Sequence, residues 1–138
     1  MAYREQRWHV QKGFTFMELV VAVMILGILA TVVGFGYRGF IKTAKENTTK
    51  ANLKTVKSAI DLFSFQYGRL PASPQDLVEQ PKGEFPGWHS YLEKMPKDGW
   101  GRDFYYKLTP GKKHGYELYS YGAEGPEGPV ENQISVWD

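Results

Sequence analysis

The sequence predicts an α+β chain, with helix first and strand last. Three observations predict it. Residues 14–37 read FTFMELVVAVMILGILATVVGFGY, in which 18 of 24 residues are hydrophobic and only Glu18 is charged. Residues 38–67 continue with apolar residues at mostly helical spacing and lysines between them. Two β-rich runs, 104–108 and 116–121, flank a turn containing Pro110-Gly111, the pattern of an antiparallel hairpin. A composition of 42% hydrophobic and 23% charged residues over 138 positions argues against a disordered chain, a collagen-like repeat or a multi-span transporter. The lack of cysteine excludes disulfide frameworks, thiolate zinc sites and cysteine nucleophiles. A net charge of +2 does not point to nucleic acid.

The 14–37 run is the first element. As a helix it rises roughly 36 Å, enough to cross a hydrocarbon core of about 30 Å. A buried core helix is the alternative, but 138 residues are too few to cover 24 apolar positions on every face. A cleaved secretory signal has a shorter apolar core and a small-residue cleavage site, and no Ala-x-Ala pattern follows this run. Lysine and arginine counts conflict with an outward head. Three (Arg4, Arg7, Lys12) precede the span, and six (Arg38, Lys42, Lys45, Lys50, Lys54, Lys57) follow within twenty residues.

Glu18 is the most informative residue. A carboxylate deep in a bilayer costs about 2.5–3.5 kcal/mol on insertion scales, so it has a partner or reaches interfacial water near the helix end. A cut after Gly13 creates an α-amine on Phe14, one helical turn away, that can neutralise it within the chain or across to a neighbouring helix. Lys12-Gly13-Phe14-Thr15-Phe16-Met17-Glu18, followed by an apolar helix, resembles the type IV prepilin signature. The resemblance implies a leader over 1–13, cleavage after Gly13 by a membrane prepilin peptidase, and N-methylation of Phe14. It also implies polymerisation through residues 14–37, with Glu18 paired to the Phe14 amine of an adjacent subunit. One departure is Phe35, where such subunits often carry proline; Gly34, Gly36 and Gly39 surround it and leave local melting or bending of the helix open. Those glycines also match G-x-G-x-x-G, but inside an apolar helix rather than after a strand, so the dinucleotide reading is set aside.

Residues 38–67 form an amphipathic stem, with Ile41, Ala44, Thr48, Ala51, Val56, Ile60, Phe63 and Tyr67 as its apolar stripe. Segment 38–57 carries six basic residues against Glu46, whereas 58–138 carries eight basic against twelve acidic. Either the basic stem is a solvated face, or it attracts acidic heads of neighbouring subunits or anionic lipid. Gly68 ends the helix. Ser73, Pro74 and Asp76 then cap a brief helix through about Gln80. Three prolines and four glycines make 81–102 a structured loop. After the hairpin, Ile134 to Trp137 forms a last strand, and the aromatics serve core and sheet packing.

The head resembles the major pseudopilin family of the type II secretion system. The resemblance rests on Leu70-Pro71, the stretch 88–92, Pro96-x-Asp98-x-Trp100-Gly101, Pro110-Gly111, Tyr116-x-Leu118-x-Ser120-x-Gly122 and Ile134-x-x-Trp137. It implies a pilin-like fold: a long N-terminal helix packed on a small antiparallel sheet, with leader 1–13, membrane and filament-core helix 14–37, stem 38–67 and periplasmic head 68–138. It implies a single-pass inner-membrane protein that enters a periplasmic pseudopilus. The partners implied are further copies of the chain, minor pseudopilins, the prepilin peptidase, and an inner-membrane platform with its ATPase. The rival readings are a type IV pilin of a surface filament, which often has a C-terminal disulfide, and a single-pass membrane protein with a binding head.

In this family the loop after the hairpin usually binds calcium, which takes about six to eight oxygen ligands. Here it reads GAEGPEGPVENQI over 122–134, with Glu124 in place of the usual aspartate and Asn132 and Gln133 where aspartates normally precede the isoleucine. Two readings stand: a calcium loop using Glu124, Asn132 and Gln133, or an acidic loop held by its prolines and turns. No H-E-x-x-H, G-x-S-x-G or P-loop pattern occurs, and His9, His89 and His114 are isolated, so the expectation is a structural subunit and not an enzyme.

Overall fold

Apolar spacing, a left-handed glycine and period-two alternation account for most of the elements that form. The computed structural model describes residues 12–138. In chain order these are α1 (Phe16–Tyr67), a 3-10 turn (Pro74–Leu77), β1 (Tyr105–Leu108), β2 (Tyr116–Ser120), a second 3-10 turn (Val130–Asn132) and β3 (Ile134–Ser135). The chain divides into two units, Met1–Arg38 and Gly39–Asp138. Arg4, Arg7 and His9, and with them most of the expected leader, lie outside the described residues.

In the first unit the helix is apolar on all sides. Val20 is half-buried, and the other described side chains from Phe16 to Arg38 are exposed. The local melting left open at the glycines does not occur: Gly34, Gly36 and Gly39 all lie within α1. The formal G-x-G-x-x-G match is therefore helix throughout.

In the second unit, Leu53, Val56, Ala59, Ile60 and Phe63 of α1 bury against Leu77, Phe85, Tyr116 and Leu118. The stripe read from sequence holds from Val56 onward and fails before it. Ala44, Thr48 and Ala51 do not join the core, whereas Thr49 and Leu53 are buried. Thr49, Leu53, Val56, Ile60, Phe63 and Tyr67 step by four and three without a break, which keeps one face of the helix. The step of five from Ala51 to Val56 turns about 140° away from it. Thr49 looks polar in sequence, but its hydroxyl donates to the Lys45 carbonyl at 2.8 Å and accepts from the Gly99 amide at 2.8 Å.

Gly68 stops α1 by adopting φ +66°, a left-handed conformation that glycine enters without a Cβ clash. Asp76 then accepts from the Ala72 and Ser73 amides at 2.9 and 3.2 Å. The helix expected through Gln80 is instead one 3-10 turn ending at Leu77. The Leu77 carbonyl accepts from the Tyr91 and Leu92 amides of the 81–102 loop, and its α-helical partner four residues on is Pro81, which has no N–H to donate.

The sheet has order β1-β2-β3, all antiparallel. Tyr105 pairs with Tyr119 and Leu108 with Tyr116, while Ser120 pairs with Ile134. Along β2, Tyr116, Leu118 and Ser120 are buried, and Glu117 and Tyr119 turn outward. The last strand covers only Ile134–Ser135, not the run through Trp137. There the chain turns, with the Asp138 carboxylate accepting from the Ser135 amide and the Ser135 hydroxyl from the Trp137 amide. The indole of Trp137 stacks on His114 at 3.7 Å and contacts Tyr116.

Candidate assembly segment and C-terminal loop

Gly13 and Phe14 precede α1 as exposed chain, with Phe14 89% exposed. Glu18 lies in the first turn of α1. Its Oε2 accepts from the Thr15 amide at 2.9 Å, and the Thr15 hydroxyl accepts from the Glu18 amide at 3.1 Å. This reciprocal pair is a capping box, which satisfies helix N–H groups that otherwise have no partner. Thr15-x-x-Glu18 spells that motif in the sequence. In the intact chain the Phe14 nitrogen is an amide without charge, so Glu18 caps its own helix.

Glu124, Asn132 and Gln133 are brought together. They line one cleft of about 260 Å³ with Lys42, Lys50 and Glu131. The bonds that organise this loop come from elsewhere. Arg102 Nη1 donates to the Gly122 carbonyl at 2.8 Å and to the Ala123 carbonyl at 3.4 Å. Gly122 donates its amide to the Ser120 hydroxyl at 3.0 Å, and that hydroxyl donates to Asp98 Oδ2 at 2.7 Å. Asp98 Oδ1 accepts from the Trp100 and Arg102 amides, both at 2.9 Å. Asp98 is only 5% exposed and Ser120 fully buried, so this network is the polar anchor of the head. Its signals in the sequence are the spacings Pro96-x-Asp98-x-Trp100-Gly101 and Ser120-x-Gly122.

Two of the loop carbonyls are already held by a cationic side chain. A metal held by the Gly122 and Ala123 carbonyls competes with the guanidinium bonded to both, and the cleft lined by Glu124, Asn132 and Gln133 also holds Lys42 and Lys50 beside Glu46 and Glu131. Among the described residues, no three histidine, cysteine or acidic side chains gather in metal-binding geometry.

The long exposed apolar helix with its N-terminal signature, and a head built on one helix and a three-stranded meander, agree with comparisons to known proteins. Residues 37–137 match the family model "Type II secretion system (T2SS), protein G", and residues 8–34 match the "Prokaryotic N-terminal methylation motif". A type II secretion system core protein G from Pseudomonas aeruginosa is 36% identical, covering 93% of this chain and 96% of that protein. The Vibrio cholerae protein of the same name is 33% identical over 86% of this chain and 84% of its own length. The crystal structure of the major pseudopilin of enterohaemorrhagic Escherichia coli shares the fold, with a TM-score of 0.59, 24% identity, and coverage of 72% of this chain and 87% of that one. These relatives favour the secretion reading over a type IV pilin of a surface filament. With a family model spanning most of the chain, this protein belongs to the protein G family of the type II secretion system.

Proposed function

We propose that this chain is the major structural subunit of a periplasmic pseudopilus that drives export of folded proteins across the outer membrane. The observation that carries the reading is an exposed apolar helix which begins directly after a processing signature, in a chain whose family is secretory. The prepilin peptidase cuts after Gly13 and Phe14 is methylated, leaving 125 of the 138 residues. The new amine competes with the Thr15 amide for the Glu18 carboxylate. Pairing with the amine of a neighbouring subunit then sets the register between helices. Residues 14–37 leave lipid only for equally apolar neighbours, so polymerisation keeps them out of water. Motion comes from the platform and its ATPase, and the role of this chain is structural.

The orientation is single-pass, with the leader in the cytoplasm and the head in the periplasm. A hydrophobic N-terminal helix and protein G relatives are consistent with an inner-membrane, periplasm-facing protein. The lysine-rich start of the stem is tolerated on the outer side because acidic heads of neighbouring subunits neutralise it. Mass spectrometry of the protein purified from membranes tests the proposal. A methylated Phe14 terminus, with secretion lost when Glu18→Ala replaces the normal gene, is expected. An intact Met1, or normal secretion with Glu18→Ala, rules the proposal out.

A further inference from the structure

We propose that the Arg102 guanidinium is the built-in cation of the 122–134 loop, standing where a bound calcium ion would otherwise hold the carbonyls together. Gly122 and Ala123 turn their carbonyl oxygens onto Nη1, and the Gly122 oxygen also accepts from the Gly125 amide at 3.3 Å. The loop therefore curls around the arginine in a tight turn. Two glycines make that curl accessible. At Gly125 a Cβ would stand 3.1 Å from Cζ of Arg102, so the missing side chain lets the guanidinium lie close against the chain. At Gly122 a Cβ would stand 2.2 Å from the Asn132 carbonyl oxygen, and φ is +78°. The two ends of the loop thus meet at one glycine, whose carbonyl the arginine holds.

The same arginine is fixed from its other side. Its amide donates to Asp98, its carbonyl accepts from the Asp98 amide at 2.9 Å, and Asp98 reaches Gly122 through Ser120. Backbone and side chain of Arg102 therefore tie the buried anchor to the loop. A guanidinium offers five N–H donors and stays charged at every physiological pH, so it does for carbonyl oxygens what a cation does without depending on metal supply.

Thermal melting and limited proteolysis of the full chain in detergent micelles test this, with millimolar calcium chloride or with chelator. The wild-type melting temperature should move by less than about 1 °C between the two conditions, since a ligand that binds only the folded state raises it with concentration. Arg102→Met should lower it by about 5–10 °C and expose 122–133 to protease, and Arg102→Lys should recover only part of the loss. A wild-type melting temperature several degrees higher in calcium overturns the proposal, whether or not Arg102→Met folds. An Arg102→Met protein that melts like wild type, with its loop still protected, overturns it as well.

Discussion

Asp98 does more for the head than its single line in the sequence suggests. Its carboxylate is buried and accepts from the Trp100 amide, the Arg102 amide and the Ser120 hydroxyl. Asp98→Ala leaves those donors without a partner and should cost about 3 kcal/mol, read as a lower melting temperature. Asp98→Asn keeps an oxygen towards the amides and should cost clearly less; equal losses for the two variants would contradict this account. Tyr116 is the opposite case. Its hydroxyl is buried with no hydrogen-bond partner among the described residues, and burial, aided by the Asp61 charge, pushes its pKa up to about 12. The folded state holds the phenol proton where the unfolded state, with a pKa near about 10, releases it. The contribution to stability is therefore complete below pH about 10 and lost as pH rises towards about 12. Tyr116→Phe should leave stability at neutral pH unchanged or slightly higher and flatten the decline between pH about 10 and about 12 in denaturant titrations. A substantial loss at neutral pH would show that the hydroxyl has a partner after all.

Between elements, the decisive contact is the 98–101 turn against α1. Gly99 lies so close that a Cβ would stand 2.3 Å from the Lys45 carbonyl oxygen and 2.7 Å from its carbon. That neighbour is helix backbone and cannot swing aside. Gly99→Ala should therefore destabilise the head by about 1–3 kcal/mol. Thr49→Val, which removes the acceptor of the Gly99 amide, should cost about 1–2 kcal/mol. Because both act on one contact, the double variant should lose less than the sum, and chemical denaturation of the four proteins measures that coupling. Strict additivity would mean the two residues act separately. The ion pairs along the same helix weigh less: Lys57–Asp61 at 2.6 Å is exposed enough to contribute about 0.5 kcal/mol at most.

For the whole molecule, the uneven charge of stem and head carries a prediction about assembly. Lys45, Lys50 and Lys54 make no ion pair among the described residues, so they remain available to neighbouring acidic heads. Raising salt from about 0.05 to 0.5 M should shorten or dissociate pseudopili, because the screening length falls well below about 10 Å over that range. Filaments of unchanged length by electron microscopy would assign the lysines to a solvated face instead.

Sequence pattern determined the parts of this protein that depend on near neighbours in the chain. A run of 18 hydrophobic residues in 24 makes a long apolar helix, Gly68 ends a helix by its own conformational freedom, and period-two alternation with Pro110-Gly111 makes a hairpin. Lys12 to Glu18 carried the family resemblance for the same reason, as a contiguous signature. Tertiary structure alone decided which stem residues are buried before Val56, what meets the Leu77 carbonyl and what holds the last loop. Thr49 is buried because Gly99 comes to it from fifty residues away, and the Leu77 carbonyl finds its donors in Tyr91 and Leu92. Arg102 lies twenty residues from the carbonyl it holds. Local spacing cannot encode such partners, since a hydrogen bond between distant residues exists only once the chain has brought them within about 3 Å.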